Sequence, residues 1–134
     1  MSQKNHKNNL PRIKIIQKIY GSLMNPEEEI TYPKSQFKKY IKDVVSGTLE
    51  RIELIEETIL KYIPNDINLK KTDRLVKIIL FSAVFELMFK HNTPKKVVIH
   101  EYVRASEFFL EKAQISYLNA ILDKLSKFLR KDQV

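Results

Sequence analysis

The stretch from Asp73 to Lys90 constrains the fold most, because it is apolar on nearly every side of a helix. A helix of this kind has no broad face for water and must be packed by neighbours on most sides. We therefore predict that it forms the central core helix of the protein. Its apolar residues are Leu75, Val76, Ile78, Ile79, Leu80, Phe81, Ala83, Val84, Phe85, Leu87, Met88 and Phe89.

The rest of the chain indicates an all-α protein. The 134 residues include only two glycines and five prolines. Helices need few special backbone angles, whereas sheets need many turns. No segment shows strand alternation, and short connections favour antiparallel neighbours. We predict a compact antiparallel helical bundle, folded as a single domain over residues 1–134.

Apolar spacing and prolines predict where the helices begin and end. Apolar residues at helical spacing follow Pro11, and this first helix should end near Asn25-Pro26. An apolar stripe steps alternately by four and three residues, which predicts one long helix broken at Pro64. The stripe consists of Ile41, Val45, Thr48, Ile52, Ile55, Ile59 and Tyr62.

Two further helices are predicted in the C-terminal part. Thr93 followed by Pro94 is typical of an N-cap with proline in the first turn, so a helix should run from there to about Leu110. The last helix is defined by Ile115, Leu118, Leu122, Leu125 and Leu129.

Two small or polar residues inside helices predict close packing. Gly47 costs a helix up to about 1 kcal/mol relative to alanine, which favours a close helix contact there. Asn119 is expected to have a structural role where helices approach each other.

The charge of the chain favours a polyanionic partner. There are 24 basic and 16 acidic residues, a formal net charge of +8. Residues 1–24 carry lysine and arginine without any acid. A segment that carries only positive charge attracts phosphate, although a solvated tail or an ordinary polar helix face has the same composition.

The composition excludes several kinds of chemistry. Without cysteine there are no disulfides, thiolate zinc sites or cysteine nucleophiles. There is no Gly-rich phosphate loop or nucleophile elbow, and the three histidines are scattered. We predict no enzyme, cofactor or metal. No apolar run reaches the roughly 20 residues of a spanning helix, so we expect a soluble, cytoplasmic protein.

Three sequence blocks resemble the NusB family of bacterial antitermination factors, at that family's spacing. They are Phe85-Glu86-Leu87, then Pro94 with Val97-Val98-Ile99-His100-Glu101, and finally Tyr117-Leu118-Asn119-Ala120-Ile121-Leu122-Asp123-Lys124. The family typically has tyrosine for Phe85, asparagine for His100, alanine for Tyr102 and glycine for Ala120. The chain thus resembles a divergent member.

The resemblance implies an RNA-binding adaptor with the NusB-like helical fold. Such a protein pairs with the small-subunit ribosomal protein NusE and holds single-stranded boxA-like RNA in rRNA leader transcripts. Through NusE and RNA it would join the RNA polymerase antitermination complex and support rRNA transcription and maturation. It would catalyse nothing.

The resemblance also implies site residues. Glu86 would contact NusE, although it also fits a partly exposed polar strip with Lys77 and Lys90. Only Arg12 remains of the family's arginine-rich run, which predicts weaker RNA binding. The implied RNA-binding residues are Lys4, Lys7, Arg12, Lys14, Tyr20, Asp123 and Lys124.

Several of these residues also fit other roles. Residues 1–10 also fit a flexible basic tail. Tyr20 also fits the apolar stripe of the first helix, and Asp123 and Lys124 also fit a solvated surface.

Two alternative functions would use the same fold. One is the NusB-like domain that precedes the methyltransferase in rRNA cytosine methyltransferases, which would require a truncated chain because no cofactor-binding unit follows before Val134. The other is a homodimer that hides the RNA site.

Overall fold

A computed structural model describes residues 10–133, which form six α-helices. They are α1 (Pro11–Met24), α2 (Lys38–Glu50), α3 (Ile52–Tyr62), α4 (Arg74–Phe89), α5 (Lys95–Ser106) and α6 (Lys112–Leu129), with a 3-10 turn at Leu69–Lys71. No strand occurs in this part of the chain. The predicted all-α fold is confirmed.

Helix α4 lies at the centre of the bundle, as its apolar character predicts. It contacts each of the other five helices. Every residue from Ile78 to Leu87 is buried, including Ser82 and Glu86. The hydroxyl of Ser82 donates to the carbonyl oxygens of Ile78 and Ile79, which satisfies it within its own helix.

Helix α1 packs one apolar face into this core. Ile13, Ile15, Ile16 and Ile19 are buried, and the helix ends at Met24 before Asn25, as predicted. Leu10 is also buried, which corrects its assignment to a flexible tail. Its side chain is apolar and joins the core just before Pro11 starts the helix. Residues 1–9 lie outside the described part of the chain.

The predicted long helix is in fact two helices, α2 and α3, separated at Arg51. The backbone N-H of Arg51 donates to Thr48 O, three residues back instead of four, and its φ and ψ of −121° and 26° are not helical. A one-residue break leaves the 4-3 spacing of apolar residues unchanged, so periodicity could not detect it. Ile41, Val45, Ile55 and Ile59 are buried on the predicted stripe.

The close contact predicted at Gly47 is confirmed. A Cβ added there would lie 2.2 Å from Cζ of Phe85, so a larger residue would force the Phe85 ring or helix α2 to shift. By contrast, Asn119 is exposed on α6, and the expectation that it lies where helices approach closely is wrong.

The last two helices differ from prediction mainly at their ends. Helix α5 has Pro94, not Thr93, at its N-cap and ends at Ser106, four residues before Leu110. Helix α6 begins with a capping box, in which Glu111 and Gln114 each accept from the other's backbone N-H. None of the helices between residues 10 and 133 combines the length and apolar character needed to cross a membrane.

Candidate nucleic-acid interface

A buried ion pair joins the start of α1 to the centre of the bundle. Arg12 Nη2 lies 2.8 Å from Glu86 Oε1, and Arg12 Nε lies 3.3 Å from Glu86 Oε2. The contact is therefore bidentate, the geometry in which arginine and carboxylate bind most strongly. The Glu86 side chain is fully buried, and that of Arg12 is one-tenth exposed.

Two tyrosines complete the coordination of Glu86. The hydroxyl of Tyr40 on α2 donates to Glu86 Oε1, and the hydroxyl of Tyr102 on α5 donates to Glu86 Oε2. The Arg12 guanidinium carbon also lies 5.3 Å and 5.4 Å from the ring centroids of these tyrosines. The four side chains form a polar network that ties α1, α2, α4 and α5 together. We call it the Glu86 network.

The Glu86 network shifts the pKa values of Arg12, Tyr40 and Tyr102. Burial lowers the pKa of Arg12, but the charge of Glu86, the two tyrosines and the hydrogen bonds to Glu86 together raise it more, so the pKa lies above its ordinary value. Burial, followed by the Glu86 charge, raises the pKa of Tyr40 and of Tyr102. Arg12 therefore stays charged and both phenols stay protonated, so the hydroxyls remain donors to the carboxylate.

The Glu86 network corrects two sequence-based expectations. Arg12 was expected to bind RNA phosphate, but its guanidinium is buried against Glu86. Glu86 was expected on a surface, either docking NusE or in a polar strip with Lys77 and Lys90, but it has no exposed surface. The reason is that an isolated carboxylate in an apolar helix requires partners, and α1, α2 and α5 supply three. Glu86 therefore has no exposed surface for a partner, and only one-tenth of the Arg12 side chain is exposed.

A second buried arginine, Arg130, caps α4 and was missed by sequence reasoning. Its guanidinium donates to the carbonyl oxygens of Glu86, Leu87 and Lys90 at 3.1, 2.6 and 3.1 Å. It also donates to Thr93 O at 3.0 Å. A cation at the C-terminal carbonyls of a helix is favourable, because those carbonyls carry partial negative charge. No sequence pattern distinguishes Arg130 from the lysines around it.

Lys14 and Tyr20 lie on the solvent side of α1. Lys14 is exposed, and Tyr20 retains 40% of its accessible surface. Tyr20 is therefore not buried in the core, which was the alternative to RNA stacking. Both residue types remain available to a ligand, the lysine for phosphate and the tyrosine for stacking on a base.

Asp123 and Lys124 are also exposed, on the last turns of α6, and both make ion pairs. Lys124 Nζ lies 2.8 Å from Asp66 Oδ2, and Asp123 Oδ2 lies 3.4 Å from Lys127 Nζ. Exposed pairs of this kind contribute little to stability and are broken at small cost. A phosphate could therefore compete with Asp66 for Lys124.

The remaining predicted RNA contacts, Lys4 and Lys7, lie outside the described residues. Among residues 10–133, no group of three histidine or acidic side chains could hold a metal ion. The described candidates for an interface are thus Lys14 and Tyr20 on α1 and Asp123 and Lys124 on α6.

This helical fold and its sequence both match known proteins. The fold resembles that of T. maritima NusB, with a TM-score of 0.75, 18% identity and coverage of 90% of each chain. The NusB family model matches residues 6–127. The chain belongs to the NusB family.

Curated relatives carry the name transcription antitermination protein NusB. That of Rickettsia bellii (strain OSU 85-389) is 32% identical over 105 residues, which is 78% of this chain and 65% of the relative. That of Thermodesulfovibrio yellowstonii is 28% identical over 93 residues, which is 69% of this chain and 61% of the relative. The matched part therefore spans just under two-thirds of these relatives.

Proposed function

We propose that this protein is a transcription antitermination factor of the NusB type, which pairs with ribosomal protein NusE to hold boxA-like RNA in rRNA leader transcripts. The observation that carries the proposal is the match of the NusB family to residues 6–127, since relatives in that family are named for antitermination. The role is binding rather than catalysis, and it supports rRNA transcription and maturation.

The electrostatics of α1 support RNA as the ligand. The helix has no acidic residue, and its solvent side carries Lys14 and Lys18. Phosphate contacts from such lysines provide affinity without sequence preference. Stacking on the exposed ring of Tyr20 would add about 1 to 3 kcal/mol per unpaired base. Arg12 contributes no contact, so the described part of α1 offers lysines instead of an arginine fork, which favours modest affinity.

The burial of Glu86 supports a different role for this residue, which was expected to bind NusE. We propose that Glu86 supports docking indirectly, because it fixes α1, α2 and α5 against α4. Replacing it would then impair NusE binding through a changed helix arrangement and not through a lost contact. The surface that touches NusE is formed by other residues.

The test is a titration of fluorescent boxA-like RNA and a scrambled RNA with this protein, alone and with NusE from the same organism, at two salt concentrations. We expect tighter binding of the boxA-like strand, strengthened by NusE and weakened by salt. Equal, salt-sensitive binding of both strands with or without NusE would leave only a basic surface and would contradict the proposal.

A further inference from the structure

A groove separates α1 from the segment that connects it to α2. Its volume is about 490 Å³, within the range of pockets that hold small ligands. One wall is the solvent side of α1, with Lys14, Gln17, Lys18 and Gly21. The other wall is formed by residues 28–38 and the first turn of α2. A Cβ added at Gly21 would meet nothing within 4 Å, so the groove is open at that point.

Cations and aromatic rings line the groove together. Lys14, Lys18 and Lys38 line it together with Tyr32 and Phe37. Phe37 retains 38% of its surface, although it is a large apolar residue. Lys18 Nζ lies 6.0 Å from the Tyr32 ring centroid, which places a charge beside a ring. Basic grooves with exposed rings are the standard design for unpaired nucleotides, since lysines hold phosphates and rings stack on bases.

Two carboxylates and several neutral polar groups also line the groove. Glu28 and Glu29 repel phosphate, so the backbone of a bound strand should follow the lysines instead. A carboxylate can accept hydrogen bonds from the exocyclic amine of a base. The neutral lining residues able to bond base edges are Gln17, Ser22, Asn25, Thr31, Ser35 and Gln36. The groove thus offers lysines to a phosphate, and neutral polar groups and aromatic rings to a base.

We propose that this groove binds one nucleotide of a single-stranded RNA, with its phosphate at Lys14, Lys18 and Lys38 and its base stacked on Phe37. The inference rests on the proposed function, because Lys14 belongs both to the groove and to the RNA surface of α1. It adds the segment between α1 and α2 to that surface. Of the described residues that the resemblance implied as RNA-binding, only Lys14 lines the groove.

The experiment combines protein variants with abasic RNA. Wild-type protein is titrated with a boxA-like RNA and with a set of strands in which each base in turn is removed. The variants are Phe37→Ala and the pair Lys18→Gln with Lys38→Gln. The matched controls are Phe108→Ala, which removes a similarly exposed ring outside the groove, and Lys96→Gln, which removes an exposed lysine outside it. Thermal unfolding checks that every variant is folded.

We expect Phe37→Ala to weaken RNA binding about tenfold, and one abasic position to weaken wild-type binding equally. Because both changes remove the same stack, that abasic strand should cost Phe37→Ala protein nothing further. The lysine pair should lower affinity and reduce the slope of log K against log salt by about 1.4. The controls should change neither quantity.

The outcomes separate the inference from the proposed function. If wild-type protein binds RNA but the groove variants match the controls, the groove is not part of the RNA site and the inference fails while the function stands. If wild-type protein does not bind RNA at all, both fail. Free nucleoside monophosphates are titrated in parallel, and binding of these without strand binding would also overturn the inference.

Discussion

Arg12 and Lys14 lie two residues apart on the same helix, yet they belong to two different parts of the molecule. Arg12 faces the core, where Glu86, Tyr40 and Tyr102 surround it. Lys14 faces solvent and borders the groove. The same formal charge thus stabilises the fold in one case and is available to a ligand in the other. A count of basic residues along the sequence therefore overestimates how many can bind a ligand, because those paired with a buried acid are not available.

The largest loss of stability is expected when the buried carboxylate of Glu86 is removed. Glu86→Ala leaves Arg12 buried without its counter-ion and two phenols without an acceptor. We expect the free energy of unfolding to fall by about 3 to 5 kcal/mol, measured by urea denaturation. Glu86→Gln is the control, because it keeps an acceptor for a tyrosine and should cost less. A loss below about 1 kcal/mol for Glu86→Ala would show that Arg12 finds water in the folded state.

The next largest loss of stability is expected at Arg130, the second buried arginine. Arg130→Ala removes donors from the last carbonyls of α4, and we expect a loss of about 2 to 4 kcal/mol in the free energy of unfolding. Arg130→Lys keeps the charge but not the planar fork, so it should lose less. RNA affinity of the folded protein should not change with either variant. A clear drop in RNA affinity at unchanged stability would place Arg130 on the binding surface instead.

A smaller loss of stability is expected at high pH. The pKa of Tyr102 is raised above 10.0 by burial and then by Glu86, so the folded protein keeps a proton that the unfolded chain releases. Stability is fully present below pH 10 and falls as the pH rises above it, by up to about 1.4 kcal/mol per pH unit for this group. Urea unfolding between pH 9 and 11 should show a shallower decline in Tyr102→Phe. Equal slopes would mean that Tyr102 titrates normally.

Much of the fold could be predicted from the sequence, because it depends on local pattern. The apolar run of α4, Pro11 before α1 and the close contact at Gly47 each follow from local chemistry. The break at Arg51 could not, because it does not disturb the apolar spacing. The resemblance of the three blocks correctly indicated the NusB family.

The site was harder to predict, because it depends on contacts between distant residues. Arg12 and Glu86 are 74 positions apart. One signal did exist, since Glu86 is a lone acid in a helix predicted to be buried and therefore needs a cation. The groove has no such signal, because the segment between α1 and α2 has no periodicity and takes its shape from packing.

Arg12 stabilises the fold whereas Lys14 is available to a ligand, and one paired experiment distinguishes these two roles. Unfolding free energy and the salt dependence of RNA binding are measured for Arg12→Gln and Lys14→Gln. We predict that Arg12→Gln loses about 3 kcal/mol or more in stability while the folded protein keeps the wild-type salt slope. Lys14→Gln should stay within about 0.5 kcal/mol of wild type while the slope falls by about 0.7. A stable Arg12→Gln protein with a reduced slope, or an unchanged slope in Lys14→Gln, would contradict the account.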